Sequence, residues 1–75
     1  MNKEYTYDFD NHETPKLNGT YAQNKAVLRD FAVEWQWWAL NTAMYWSDAA
    51  FWGDYFTRQG KRYGLLREFR ENGVC

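Results

Sequence analysis

Large apolar residues recur at Leu28, Phe31, Trp35, Trp38, Tyr45, Trp52 and Phe56, with Thr42 and Ala49 filling the series. Steps of three and four place such residues on one face of an α-helix. A second stripe runs beside the first through Val33, Trp37, Leu40, Met44, Phe51 and Tyr55. A third row, Ala39, Ala43, Ala50 and Gly53, is small apart from Trp46. Glu34, Asn41 and Asp48 keep one narrow line polar at heptad spacing. A helix apolar around most of its circumference is normally buried on most sides.

The start of this helix is marked by Thr20 and Gln23, which fit a capping box. No glycine or proline follows until Gly53, and Gly60 reads as the stop. Unbroken, residues 20–59 would form a rod roughly 60 Å long. The segment WSDAAF offers a single break, with Ser47 as N-cap and Trp46 and Phe51 as a hydrophobic staple. Residues 62–72 read as a short tail helix with Tyr63, Leu66 and Phe69 on its apolar side, capped by Asn72-Gly73 and closed by Val74.

Before Thr20 the period changes. In EYTYDFD, Tyr5, Tyr7 and Phe9 alternate with Thr6, Asp8 and Asp10, as in a half-buried strand. Nothing else in the chain reads as its partner. The segment therefore lies over the aromatic body, pairs with a twin, adds to another protein's sheet, or frays as a tail. The expected architecture is all-α: an extended N-terminal arm (1–19) and a helical domain (20–75), comprising a long or once-broken helix with a short helix folded back.

Composition sharpens this picture. A 75-residue chain that is 21% aromatic has much apolar area to bury. Cys75 and His12 are the only residues of their kinds, so an internal disulfide and a four-ligand zinc site are excluded. No cofactor or metal is expected. A tail helix with three large apolar residues cannot cover two aromatic stripes, and uncovered apolar area usually marks an interaction surface. A homodimer, its helices approaching along Ala39, Ala43 and Ala50, meets that demand. So does a larger protein as partner.

The net charge of −1 hides alternating blocks. Residues 1–15 and 30–57 are acidic, whereas residues 16–29 and 58–75 are basic. That distribution lacks the footprint of a duplex-DNA binder. Arg62, Arg67 and Arg70 are candidate phosphate contacts, but they are segregated from the tryptophans that would stack bases. No signal-peptide or membrane-spanning pattern is present, since Gln36, Asn41, Ser47 and Asp48 interrupt the apolar run. A cytoplasmic location follows as the expectation.

Chemistry is sparse. Asp10, His12 and Glu13 form no preformed metal site, and His12 reads as a solvated histidine in an acidic segment. Cys75, as the last residue, forms neither a nucleophile site nor a prenylation motif. Asp48 and Asp54 read as a solvated helix edge or as partners of the basic tail. The expectation is non-catalytic protein binding through Tyr5, Tyr7, Asp8, Phe9, Asp10, Trp37, Trp46 and Tyr55, over a core or dimer stripe of Phe31, Trp35, Trp38, Tyr45, Trp52 and Phe56. Trp, Tyr and Arg are the types enriched at interface hot spots. Size and stickiness suggest a stoichiometric inhibitor or regulator, a profile shared by phage and mobile-element proteins that block host defence. The alternatives are a nucleic-acid-associated helical protein and a structural oligomer subunit.

Overall fold

A computed structural model describes residues 5–74. A short 3-10 turn (Phe9–Asn11) precedes three helices: α1 (Tyr21–Leu40), α2 (Trp46–Tyr63) and α3 (Leu66–Glu71). Among the described residues there is no strand, and the class is all-α. The longest principal dimension is 35 Å, which excludes the unbroken rod.

Helix α1 begins as its cap residues dictate. Gln23 N donates to Thr20 Oγ1 and Thr20 N donates to Gln23 Oε1, closing a reciprocal capping box. The helix ends at Leu40, earlier than the expected break at Ser47. Asn41 supplies the reason: its Nδ2 donates to Trp37 O at 2.8 Å, and its backbone N donates to Trp38 O. Asparagine offers the backbone an alternative to the helical ladder, which favours a terminus here. Tyr45, in extended conformation, is the N-cap of α2. Asp48 Oδ2 accepts from Tyr45 N at 3.3 Å, so the cap lies two residues before Ser47.

This break refolds the aromatic pattern. The first stripe (Leu28, Phe31, Trp35, Trp38) closes onto Trp52 and Phe56 of α2, and all six are buried. Trp52 is central, with ring centroids of Phe9, Phe31, Phe51, Tyr55 and Phe56 4.9–5.9 Å away. Many of these pairs are edge-to-face, the arrangement that aromatic quadrupoles prefer. Tyr45, assigned to the core stripe from its spacing, is 79% exposed because it sits in the connection between helices. The small-residue row is cut by the same connection, leaving Ala43 and Ala50 exposed. The helix-to-helix covering needed by the first stripe is thus supplied within one chain.

Gly60 does not stop α2. The helix continues to Tyr63 and ends at Gly64, which has φ 68°. Leu65 N then donates to Gly60 O at 2.8 Å, a Schellman closure. The buried apolar residue of the turn is accordingly Leu65, just outside α3, while Leu66 is only half-buried. Helix α3 repeats the device: Gly73 N donates to Arg70 O and Val74 N to Phe69 O, with Val74 buried. The Asn72-Gly73 cap and its closing valine therefore form as expected, on a helix shorter than 62–72.

Gly60 is buried where α2 meets α3. A Cβ there would lie 3.0 Å from Leu66 Cα and 3.2 Å from Phe69 Cδ2. Gly53, in contrast, has nothing within 4 Å of an added Cβ. Gly60→Ala should therefore lower stability by about 1–2 kcal/mol, overpacking outweighing the helix propensity gained. Gly53→Ala should raise stability by about 0.5–1 kcal/mol. Urea midpoints of the two variants should move in opposite directions; movement in the same direction would refute the packing assignment.

The arm is neither a strand nor a tail over its described residues. Asp8 O accepts from Asn11 N and from Glu13 N, and Asn11 Nδ2 donates to Asp8 Oδ2 at 2.7 Å. These local bonds curl DFDN into a 3-10 turn. His12 completes it in the left-handed region, at φ 59°. Phe9 is thereby delivered into the core, 1% exposed, with centroids of Phe31 and Trp38 at 5.3 and 5.5 Å. Asn24, the buried polar residue of α1, ties down the rest: its Nδ2 donates to Leu17 O, Gly19 O and Tyr63 Oη, and its Oδ1 accepts from Gly19 N.

Candidate functional site

The polar line of Glu34, Asn41 and Asp48 is the receptor for the arm and the cap of α1. Glu34 Oε1 accepts from Thr6 N at 2.8 Å and Tyr7 N at 3.3 Å. Asp48 Oδ1 pairs with His12 Nε2 at 2.7 Å, while the imidazole stacks on Phe51 with centroids 4.1 Å apart. His12 is therefore a latch residue rather than a solvated one, and Asp48 is not a free helix edge. Carboxylates on two different helices thus hold the arm, at Thr6 and Tyr7 and at His12.

Burial reassigns several candidates. Phe9 and Tyr55, expected at a partner interface, are core residues, at 1% and 6% exposure. Phe9 is drawn inward by the 3-10 turn. Tyr55 follows Trp52 by three residues and so shares its inward face of α2. Burial pushes the Tyr55 hydroxyl up to about 12, and nearby Tyr7 and Tyr63 add to the shift. Tyr5 and Tyr7 are half-buried against the core. Burial, followed by the Glu34 carboxylate, raises Tyr7. Asp8 is committed to the turn, whereas Asp10 is exposed on it.

The second stripe of α1 stays outside. Val33, Trp37 and Leu40 are exposed, Trp37 at 60%. Tyr45 and Trp46 continue this exposed set into the connection and the first residue of α2, Trp46 at 85%. Among the described residues, the large exposed hydrophobics other than Tyr21 thus fall between residues 33 and 46. Trp37 and Trp46 are the two expected partner-binding aromatics that the fold leaves accessible.

Two depressions adjoin this stripe. One, of 440 Å³, is an open groove lined by Tyr5, Asp30, Val33, Glu34, Trp37 and Asn41. The other, of 330 Å³, lies among Trp35, Gln36, Ala39, Leu40, Met44, Asn72 and Gly73. It is bridged where Gln36 Nε2 donates to Asn72 O. Tyr5 joins the groove through the docking of the arm, which no local spacing signals. The positions 30, 34, 37 and 41 do share a helical face, the one available signal.

Arg62, Arg67 and Arg70 are exposed on the last turn of α2 and on α3. Arg62 lies 5.9 Å from the ring of Tyr63, which is itself buried. The neighbouring cations are engaged elsewhere: Arg29 forks onto Glu68 through Nε and Nη2, and Arg58 pairs with Asp54. Asp54 thus pairs with the basic segment, as one reading of the sequence held. No cluster of three metal-ligating side chains occurs among the described residues. Cys75 lies outside them. No helix among them is long and apolar enough to cross a membrane. Comparisons with protein-family models, curated proteins and solved structures find no match.

Proposed function

We propose that this protein is a non-catalytic binding module whose exposed stripe engages a larger protein, as a stoichiometric inhibitor or regulator. The observation that carries this reading is the sorting of its aromatic residues. Trp35, Trp38 and Trp52 are buried in a dense core, yet Trp37 and Trp46 remain largely exposed beside Val33, Leu40 and Tyr45. A chain that closes a core around three tryptophans while presenting two in one region has the composition of an interface hot spot. Small viral and mobile-element regulators of host defence are one class of protein with this profile.

Trp37→Ala and Trp46→Ala remove exposed side chains, so each should leave helicity and the urea midpoint within about 0.5 kcal/mol of wild type. Each should weaken partner capture by at least tenfold, about 1.4 kcal/mol or more. Quantitative affinity capture from the source cell, with wild type and both variants as bait, makes the comparison. Undiminished capture by both variants would refute the assignment of this face. Light scattering across a tenfold concentration range separates a hetero-partner from a second copy of the chain: a dimer disrupted by Trp37→Ala would make the occupant the protein itself.

A further inference from the structure

We propose that the groove between the arm and α1 receives a basic side chain, arginine or lysine, displayed by the partner; this rests on the protein-binding reading above. Asp30, Val33, Glu34, Trp37 and Asn41 line one wall from a single face of α1, and Tyr5 of the arm forms the other. Glu34 holds the arm against this face at Thr6 and Tyr7, next to the Tyr5 wall.

Its electrostatics are one-sided. Asp30 makes no hydrogen bond or ion pair among the described residues, and Glu34 uses only Oε1. Two carboxylates at i and i+4 repel each other on a helix surface. Among the described residues no cation pairs with them; of the nearest, Arg29 is spent on Glu68, Arg58 on Asp54, and Lys25 lies over the Tyr21 ring. An arriving cation relieves this repulsion. An anion would add to it, and an apolar group would strip water from Asp30 without replacing its hydrogen bonds.

The remaining walls match the rest of a basic side chain. The exposed Trp37 indole is the aromatic ring best suited to a cation–π contact. A guanidinium can stack on that ring and donate its planar fork to Asp30. The aliphatic stem is then covered by Val33 and Tyr5. The groove's 440 Å³ lies within the range of small-ligand sites.

The test is an NMR titration with acetyl-Gly-Gly-X-Gly-Gly-amide peptides in which X is arginine, lysine, citrulline or glutamate. The arginine and lysine peptides should shift the Trp37 indole N–H and Asn41 side-chain amide, with Kd on the order of 1 mM. Citrulline keeps the shape of arginine without its charge and should bind about tenfold more weakly, as should glutamate. Asp30→Asn and Trp37→Ala should each weaken arginine binding by about three- to tenfold with unchanged helical circular dichroism. Added salt should weaken it further. Equal binding of arginine and citrulline, absence of binding by the arginine peptide, or insensitivity to Asp30→Asn would overturn the proposal. Loss of partner capture by Trp37→Ala without any peptide binding would sink the cation site and leave the protein-binding reading standing. Peptide binding with capture unaffected would do the reverse.

Discussion

Phe9→Ala should cost about 3–5 kcal/mol, the toll of emptying a fully packed aromatic site. For a chain of this length, total stability is on the order of 4–11 kcal/mol, so the variant should be partly unfolded at room temperature or lie close to it. The size of the effect follows from where the ring sits. Phe9 is 1% exposed and packs against Phe31, Trp38 and Trp52, bridging both long helices. Alanine would leave a cavity that rigid indoles cannot easily collapse into. Urea unfolding followed by circular dichroism gives the number. A loss below about 1 kcal/mol would mean that the arm is not part of the core in solution.

A second large effect is expected at alkaline pH. Tyr55 is 6% exposed, and its hydroxyl is buried without a hydrogen-bond partner among the described residues. Its folded-state pKa is raised from 10.0 to about 12, burial being the main cause. The unfolded chain therefore releases this proton near pH 10, while the folded chain holds it to about pH 12. Stability attributable to Tyr55 is fully present below pH 10 and is lost between pH 10 and 12. Two units correspond to about 2–3 kcal/mol. Tyr7, raised in the same direction by burial and Glu34, contributes with the same sign. Tyr55→Phe should shrink the alkaline loss and raise neutral-pH stability by about 1 kcal/mol, since it removes an unsatisfied buried hydroxyl. Urea midpoints at about pH 9 and pH 11.5, compared between wild type and variant, decide it. Parallel losses in the two proteins would refute the assignment.

The parts of the fold legible in the sequence are those with local causes. Thr20 and Gln23 announce the start of α1 because both halves of a capping box lie within one turn. Asn72, Gly73 and Val74 announce the end of α3 for the same reason. The first stripe through Trp35, Trp38 and Trp52 was readable as core because its spacing survives the break approximately in register. The break itself was misplaced, since Asn41 is a weak terminator without glycine or proline beside it. That displacement carried Tyr45 from the expected core to the surface.

The arm was the least legible part, because alternation in EYTYDFD favours a strand until hydrogen bonds from Asp8, Asn11 and Glu13 are counted. Its docking partners, Glu34 and Asp48, lie 28 and 36 residues from the groups they bind. No spacing rule reaches that far. The candidate groove inherits this limit: Trp37 stands out by type and Asp30 shares its face of α1, but Tyr5 becomes a neighbour only through a long-range bond. Phe9 and the paired helices cover part of the apolar area for which the sequence suggests a second copy or a partner, while Val33, Trp37, Leu40, Tyr45 and Trp46 stay exposed.

The order of synthesis now acquires a meaning. Tyr5, Tyr7 and Phe9 leave the ribosome before any of the surfaces that bury them, and Trp52, against which Phe9 packs, follows much later. The helices and their caps can form from near neighbours on the submicrosecond scale, but seating the arm must close a long loop onto a slot that α1 and α2 have already built. A segment that precedes the helices in the chain thus depends on both of them for its seat. Until that seat exists, Phe9 and the rings of Tyr5 and Tyr7 lack the surfaces that cover them in the folded chain.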